Sequence, residues 1–469
     1  MSFLKTYLNN FSEEKFNFSF SVLFVISLIV FTAFSIQLFS LKIVYVLFGL
    51  VFAILLSFNF YLMFTALLLV VFTPYFFGIH TSVIFSFFLI LSVLLNFKFN
   101  KDETFQNPII APLMVYIFLA SLSLYNAPKT IYTLLDYSNL LSLILLVIIV
   151  PVVFTERKKI NQIFYIFIFA VLIHSFFVIF ESLSTGGRAF GLLSVFYVDL
   201  AGLAILYSII FFLYGHGFKK YTFGFSSIII LIGLILTQTR NAWLSTIITL
   251  FFLLIFLFVK SKEYRMNRKI ILIAITVFII ISGSVFIIAS KNLNIDVGKR
   301  LEAKTQRVNV TDNPASIGDN SLLSRMFIWH TAINAFSREP IIGIGLYSFK
   351  YTSKEYYTIP KPFFKQFVEH RTPHVAYLEV LVESGIIGFI GFIIFLTAVL
   401  KRLFNSLVFV RSVKEILQTL LLLVSMVYIS FSMFMTEAWL YGQYLVWFGI
   451  IVGLIMANTK MLISKTSSN

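Results

Sequence analysis

Cysteine is absent from the 469-residue chain, which excludes disulfides, thiolate metal sites and a cysteine nucleophile. Charge is scarce as well. Asp, Glu, Lys and Arg together make up 12% of the residues, whereas soluble domains carry about 25%. The chain also lacks the alternating segments of about 10 residues that build a transmembrane β-barrel. These absences exclude an ordinary soluble domain and a membrane barrel.

Hydrophobic residues make up 59% of the chain, and they lie in runs of about 18–20 residues, each long enough to cross a bilayer core of roughly 30 Å. We therefore predict an all-α, polytopic transmembrane helical protein with about 12–14 spans and one large extracytoplasmic loop that contains short helices. The predicted spans are 18–38, 42–58, 60–77, 80–97, 108–125, 138–154, 162–181, 199–214, 222–238, 241–259, 270–290, 374–400, 416–435 and 440–457.

Lysine and arginine set the expected orientation. Twenty of them lie in one set of short loops and end segments, and four lie in the opposite set; positive residues favour the cytoplasmic side. We expect three regions: transmembrane helices over 1–290 with a cytoplasmic N-terminus, a large outer loop over 291–373, and helices over 374–469 with a cytoplasmic C-terminus. The net charge of +16 is spread over loops, which favours membrane lipid or a phosphorylated substrate over nucleic acid.

The outer loop is predicted to contain a helix. The segment SLLSRMFIWHTAINAFS, 321–337, has the helical spacing of an amphipathic helix lying near the membrane surface. Its apolar positions are Leu322, Met326, Trp329, Ile333 and Phe336. The following REPIIGIGLYSF contains Pro340, Gly343 and Gly345, which indicate a helix stop and a tight turn.

His374 lies where the loop meets the next apolar span, eleven positions before Gly385. Thr372 could cap a helix there and Pro373 suits a first turn, so His374 is expected in that first turn. The positive end of a helix dipole disfavours imidazolium, and a neutral histidine could act as a general base. Alternatively, His374 only caps the helix or lies at the headgroup level.

Three arginines are candidates for binding an anion. Arg240, in LILTQTRNAWLS, lies between two apolar spans, and Arg188, in STGGRAFGLL, is another rare outer-loop arginine. Arg325 lies on or beside the apolar stripe of the loop helix. Two or three converging guanidinium groups would suit a pyrophosphate because they bind phosphate oxygens bidentately. Alternatively, Arg240 snorkels to the interface and Arg325 is the polar edge of an amphipathic helix.

The acidic residues indicate a function less clearly than His374 and the arginines do. Glu383 could orient a neighbour or satisfy a buried polar contact, and intramembrane carboxylates can also mark ion pathways. There is no Asp-x-Asp pair and no His/Asp/Glu set with metal-ligand spacing, so we expect chemistry without a metal or other cofactor. Four tyrosines of the loop could stack on sugars: Tyr347, Tyr351, Tyr356 and Tyr357.

Three blocks together resemble the O-antigen ligase superfamily, which also contains O-antigen polymerases and protein O-oligosaccharyltransferases. TQTRNAWLS is similar to its Arg-x3-Leu turn. SRMFIWHTAINAFSREPIIGIGLYSF is similar to its Arg…Trp…Pro-x-x-Gly-x-Gly stretch. HVAYLEVLVESGIIGFIGF matches its His-x10-Gly pattern, here His374 and Gly385. The blocks cover about residues 225–400.

The resemblance implies a membrane glycosyltransferase of the bacterial cytoplasmic (inner) membrane, with its active site on the periplasmic side. The donor would be a glycan on undecaprenyl pyrophosphate and the acceptor a sugar hydroxyl, in a ligase that of the lipid A core. Transfer would be metal-independent and inverting. Arg240 and Arg325 would bind the pyrophosphate, and His374 would take the acceptor's proton. As a rare outer-loop arginine, Arg188 is our third candidate for binding the pyrophosphate. The supporting residues would be Glu383, Trp329, Gly343 and Gly345.

Two alternatives stay open. An O-antigen polymerase uses the same donor, but such polymerases often divide the work over two sizeable outer loops, and this chain has one. A lipid-glycan flippase or transporter would predict inverted repeats and broken helices in matched halves, which the sequence does not show.

Overall fold

The computed structural model describes the chain in separate stretches. The described residues are 56–57, 59–70, 75–76, 79–96, 107–128, 131–191, 196–261, 269, 272–273, 276, 280, 321–436 and 442–467. The predicted span 18–38, nearly all of 42–58 and of 270–290, and residues 291–320 of the predicted loop lie outside them.

The described stretches are mostly α-helical. Before the loop the helices are α1 (Phe60–Val70), α2 (Thr81–Asn96), α3 (Ile110–Ser121), α4 (Ile131–Val153), α5 (Arg157–Thr185), α6 (Phe196–Tyr214), α7 (Gly217–Leu236) and α8 (Arg240–Val259). The loop contains α9 (Ser321–Arg338), α10 (Phe349–Thr352) and α11 (Lys361–Phe367). After it come α12 (Ala376–Leu407), α13 (Val413–Ser432) and α14 (Gly442–Ser467). One short antiparallel pair is formed by β1 (Tyr75–Phe76) and β2 (Ile79–His80).

Seven of the described helices are long and apolar enough to cross a membrane, namely α5, α6, α7, α8, α12, α13 and α14. Shorter apolar helices occur within α2 and α4 and through α3 into the 3₁₀ turn that follows it. A polytopic helical membrane protein is thereby confirmed. The predicted loop helix over 321–337 is also confirmed, as α9. The total of about 12–14 spans stays a prediction because several of those segments lie outside the described residues.

Polar contacts at the start of α5 identify one end of the bundle. Arg157 Nη1 donates to Gln418 Oε1 of α13 at 2.9 Å, and Arg157 Nη2 lies 3.6 Å from Glu415 Oε1. The buried Gln418 donates in turn to the carbonyl oxygen of Arg157 at 2.6 Å. Because buried charges are tolerated only when paired and hydrogen-bonded, this network fastens α5 to α13. We call it the Arg157 end; the loop end is the opposite one, where α13 finishes and α12 begins.

Candidate active site

The helix that follows His374 is broken near its start. Gly385 lies inside α12 but has φ 64° and ψ −174°, a conformation that is essentially restricted to glycine. A break of this kind removes the intrahelical partners of nearby backbone groups. Because unpaired backbone groups inside a protein are costly, another segment must supply hydrogen bonds at this point.

The loop segment after α9 supplies them. The N–H groups of Ile344 and Gly345 donate to the carbonyl oxygens of Val382 and Glu383 at 3.1 and 3.0 Å. In the opposite direction, two N–H groups of α12 donate to loop carbonyls: Ile386 to Pro340 at 2.9 Å and Ile387 to Ile341 at 3.3 Å. We call this backbone pairing of residues 340–345 with 382–387 the joint.

Two glycines make the joint possible. A Cβ added to Gly343, which has φ 76°, would overlap the backbone of Glu383 and the nitrogen of Gly385. A Cβ added to Gly385 would overlap the carbonyl group of Ile341 and the nitrogen of Gly343. The glycine of the His-x10-Gly block and the first glycine of the Pro-x-x-Gly-x-Gly block therefore face each other. Their lack of side chains lets two backbones meet.

Glu383 strengthens the joint with its side chain. The residue is 2% exposed. Its Oε2 accepts the N–H of Tyr347 at 2.7 Å, and its Oε1 accepts the N–H of Phe349 at 3.1 Å. A carboxylate that accepts two backbone N–H groups makes charge-assisted bonds, which are stronger than neutral ones. These bonds fit the second sequence interpretation of Glu383, a buried polar contact.

The 3₁₀ turn after α3, Leu122–Tyr125, and the residues that follow it also contact the joint. The side-chain nitrogen of Asn126 donates to the carbonyl oxygen of Gly343 at 2.8 Å and to Glu339 Oε2 at 3.2 Å. Ser123 Oγ accepts the N–H of Leu346 at 3.1 Å. A Cβ on Gly345 would overlap Ala127, so the second glycine of the block packs against this same turn.

The structure corrects the expected position of His374. Helix α12 begins at Ala376 with Val375 as its N-cap, and no side chain caps it. His374 therefore lies outside the helix, and its φ of 54° is left-handed. The prediction of a first-turn histidine capped by Thr372 was wrong.

Tertiary hydrogen bonds explain the later helix start. The carbonyl oxygen of Pro373 accepts Trp329 Nε1–H at 2.8 Å. The first N–H of α12, that of Ala376, donates to the carbonyl oxygens of Met433 and Thr436 at 2.9 and 3.0 Å. The Ala376 N–H thus finds acceptors in another segment, without a capping side chain, and the Pro373 carbonyl is held by Trp329.

The loop helix α9 brings Arg325 and Trp329 to this side of the molecule. The two residues are four positions apart, so they lie on one face of the helix. The hydrogen bond from Trp329 to Pro373 holds that face beside the segment that carries His374. Arg325 is half-buried.

Arg188 lies beside the start of α8. Its Nε donates to the carbonyl oxygen of Thr237 at 2.8 Å, and its Nη2 donates to Thr239 Oγ1 at 3.1 Å. The guanidinium also stacks on the ring of Phe190, with 4.4 Å from Cζ to the ring centroid. Arg240, the first residue of α8, follows Thr239 directly, and its side chain lies outside the described part of the structure.

The turn after α13, residues 433–436, connects the two regions. It accepts the N–H of Ala376, two residues after His374. It also accepts the side chain of Asn241, whose Nδ2 donates to the carbonyl oxygen of Met435 at 2.7 Å. Asn241 follows Arg240 in the chain, so one short turn positions both the arginine helix and the histidine segment.

Left-handed backbone conformations occur in the same regions. Among the described residues, four that are not glycine have positive φ: Gln238, Tyr347, His370 and His374. Such conformations cost of order 1–3 kcal/mol each and are often found at active sites. Gln238 lies two residues before Arg240, and Tyr347 lies beside the joint.

Sequence reasoning missed several parts of this arrangement and misjudged one. Tyr347 is 2% exposed, so the prediction that its ring could stack on a sugar was wrong. Asn126, Asn241 and the 433–436 turn were not predicted. The only local signals were an Asn-Ala-Pro turn after α3 and an asparagine beside the outer arginine.

Comparison with known proteins agrees with the motifs. Residues 225–393 match a family model described as O-antigen ligase, and no curated protein matches the chain. The matched segment contains Arg240, Arg325, His374 and both halves of the joint. A family of this type consists of membrane glycosyltransferases of the ligase or polymerase kind. Because the match covers less than half of the chain, it shows that residues 225–393 are similar to the O-antigen ligase family.

Proposed function

We propose that the protein transfers a glycan from undecaprenyl pyrophosphate to an acceptor sugar hydroxyl, and that in the cell it ligates O-antigen to the lipid A core. The observation that carries the proposal is the series of hydrogen bonds at the loop end. Arg188 is bonded beside the start of α8, where Arg240 lies. Asn241 and the 433–436 turn link that start to the His374 segment, which Trp329 links to the helix of Arg325.

In the proposed reaction the acceptor oxygen attacks the anomeric carbon of the donor glycan. The bond from that carbon to the pyrophosphate oxygen breaks, and its electron pair leaves with undecaprenyl pyrophosphate. His374 takes the proton of the attacking hydroxyl, which makes it the general base. Attack opposite to the leaving group inverts the anomeric configuration.

The arginines would act on the leaving group. Arg240 and Arg325, assisted by Arg188, would bind the pyrophosphate oxygens and stabilise their charge as the glycosidic bond breaks. Positioning is part of such catalysis because small displacements of reacting groups cost rate. The joint and Glu383 would serve that purpose, since they fix the loop after α9 to the helix that follows His374.

The loop end is proposed to face the periplasm. The basic residues of the short loops and end segments favour the opposite, Arg157 end, as the positive-inside rule requires of the cytoplasmic side. Because the chain has no cysteine, single-cysteine variants test this directly. A membrane-impermeant maleimide applied to spheroplasts should label Lys354→Cys and should label Lys401→Cys only after permeabilisation. The reverse pattern would refute the orientation.

Reconstitution tests the reaction itself. Proteoliposomes would receive an undecaprenyl-pyrophosphate glycan and either lipid A core or a second lipid-linked glycan as acceptor. Capping of the lipid A core is the expected result. Growth of a longer lipid-linked chain would support the polymerase alternative, and movement of the donor across the bilayer without transfer would support a flippase.

A further inference from the structure

Of the four loop tyrosines that could stack on sugars, the structure buries one and packs another against a phenylalanine. Tyr347 is buried, and the ring of Tyr357 is stacked on Phe364, with centroids 4.2 Å apart and planes at 20°. Tyr351 and Tyr356 are each partly exposed. Both belong to the segment that runs from α10 into the 3₁₀ turn Ser353–Glu355 and the residue after it.

Each of these two rings carries a cation. Lys350 Nζ lies 4.9 Å from the ring centroid of Tyr351, and Arg338 Cζ lies 5.7 Å from that of Tyr356. Arg338 is also fixed by a hydrogen bond of 3.0 Å from Nη1 to the carbonyl oxygen of Glu355. Held in this way, the guanidinium loses less freedom when it binds a ligand.

Polar side chains extend the surface around Arg338. His330, Asn334 and Arg338 are spaced four residues apart along α9, so they share one face. Asn334 Nδ2 donates to Thr358 Oγ1 at 3.0 Å and lies 3.4 Å from His330 Nδ1. We call the surface formed by these residues and Tyr356 the Arg338 surface.

The Arg338 surface is separate from the proposed reaction centre. Arg338 follows Trp329 by nine residues, which at about 100° per residue places it on the opposite side of α9 and about 13 Å along the helix axis. A group bound at the Arg338 surface would therefore lie at a distance from the reacting groups.

The charge of the loop favours an anion. Residues 321–376 contain seven Lys or Arg and three Glu. One of the three, Glu339, already accepts a hydrogen bond from Asn126. Burial, with help from the nearby Glu355 and Glu339 carboxylates, raises the pKa of Tyr356, and Arg338 opposes this only in part. The Tyr356 hydroxyl thus stays neutral, so the charges beside the ring are the Arg338 guanidinium and the Glu355 and Glu339 carboxylates.

We infer that the Arg338 surface is a glycan subsite for an acidic sugar. The Tyr356 ring would contact the apolar face of the pyranose, and Arg338 would pair with a carboxylate or phosphate on the same sugar. This inference rests on the proposed function and extends it, because it names the class of glycan that the enzyme handles.

Binding to the purified full-length protein tests the inference without requiring transfer. The probes are a short oligogalacturonate and a neutral oligoglucoside of equal length. Arg338→Gln should weaken oligogalacturonate binding about tenfold, since tenfold corresponds to 1.4 kcal/mol, and should change the neutral probe less than about twofold. Lys361→Gln removes an exposed cation of α11 and is the matched control, with an expected change below about twofold.

Three results would overturn the inference: equal loss in Lys361→Gln and Arg338→Gln, no preference for the acidic probe, or an Arg338 effect that disappears in nanodiscs of zwitterionic lipid. Loss of the Arg338 effect in zwitterionic nanodiscs would indicate that lipid headgroups, and not a glycan, occupy the Arg338 surface. If neither donor nor acceptor is used in reconstitution while the acidic probe still binds through Arg338, the proposed reaction fails and the subsite stands. If transfer occurs and Arg338→Gln leaves the KM for an acidic glycan unchanged, the subsite fails and the reaction stands.

Discussion

The joint predicts a specific consequence of replacing Gly385 with alanine. The backbone there has φ 64° and ψ −174°, which in a residue with a side chain costs about 1–3 kcal/mol. The new Cβ would also overlap the carbonyl group of Ile341 and the nitrogen of Gly343, so the loop must move away. The four backbone bonds of the joint contribute about 0.5–1.5 kcal/mol each. Loss of two of them with the strain gives about 2–6 kcal/mol.

Limited proteolysis measures how much Gly385→Ala increases the population in which the joint is open. Opening of the joint frees the segment whose Phe349 N–H is held by Glu383, and trypsin can then cut after Lys350. Cleavage follows the population of the open form when opening is fast, so 2 kcal/mol corresponds to about 30-fold faster cutting at this site in Gly385→Ala.

The control is Gly217→Ala. Gly217 also has positive φ, 62°, but a Cβ there would meet nothing within 4 Å. Gly217→Ala should lower the free energy of unfolding by about 1–2 kcal/mol because of the left-handed conformation, and it should leave the loop closed. Equal cleavage rates after Lys350 in the two variants would refute the joint as a clamp on the loop.

Two further substitutions test the contacts around the site. Glu383→Gln turns one acceptor oxygen into a donor that faces a backbone N–H, so the free energy of unfolding should fall by about 2 kcal/mol. The control is Glu355→Gln, at an exposed position, which should leave the unfolding midpoint unchanged. Similar midpoints in the two variants would contradict the role of Glu383 in holding the loop. Asn241→Leu removes the 2.7 Å bond to Met435 and should lower kcat for glycan transfer about tenfold with little change in KM, because positioning is lost. Asn405→Leu, at an exposed position of α12, is its control, and an unchanged kcat in Asn241→Leu would count against the role of the 433–436 turn.

Local patterns predicted much of this molecule. The length of the hydrophobic runs predicted the spanning helices because the bilayer thickness fixes the length that a span needs. The spacing of apolar residues predicted α9 because a helix turns by about 100° per residue. The residues around Pro340 were predicted to end that helix, and α9 does end at Arg338. These features depend on residues within about one or two turns of each other.

What escaped prediction depends on contacts between distant segments. Gly343 and Gly385 were each recognised as motif glycines, but nothing in the chain indicates that they face each other. The start of α12 was misplaced because contacts with distant segments fix it: Trp329 bonds the Pro373 carbonyl, and the 433–436 turn accepts the Ala376 N–H. Tyr347 was assigned a sugar-stacking role from its residue type alone, whereas the joint buries it.

The transfer rate of His374→Ala tests the central claim most directly. Equal amounts of wild type, His374→Ala and the control His216→Ala, an exposed histidine at the N-cap of α7, would be reconstituted with undecaprenyl-pyrophosphate glycan and lipid A core. Loss of a general base should slow transfer by about 10²–10⁴-fold in His374→Ala, while His216→Ala stays near the wild-type rate. Transfer by His374→Ala at the wild-type rate would contradict the account.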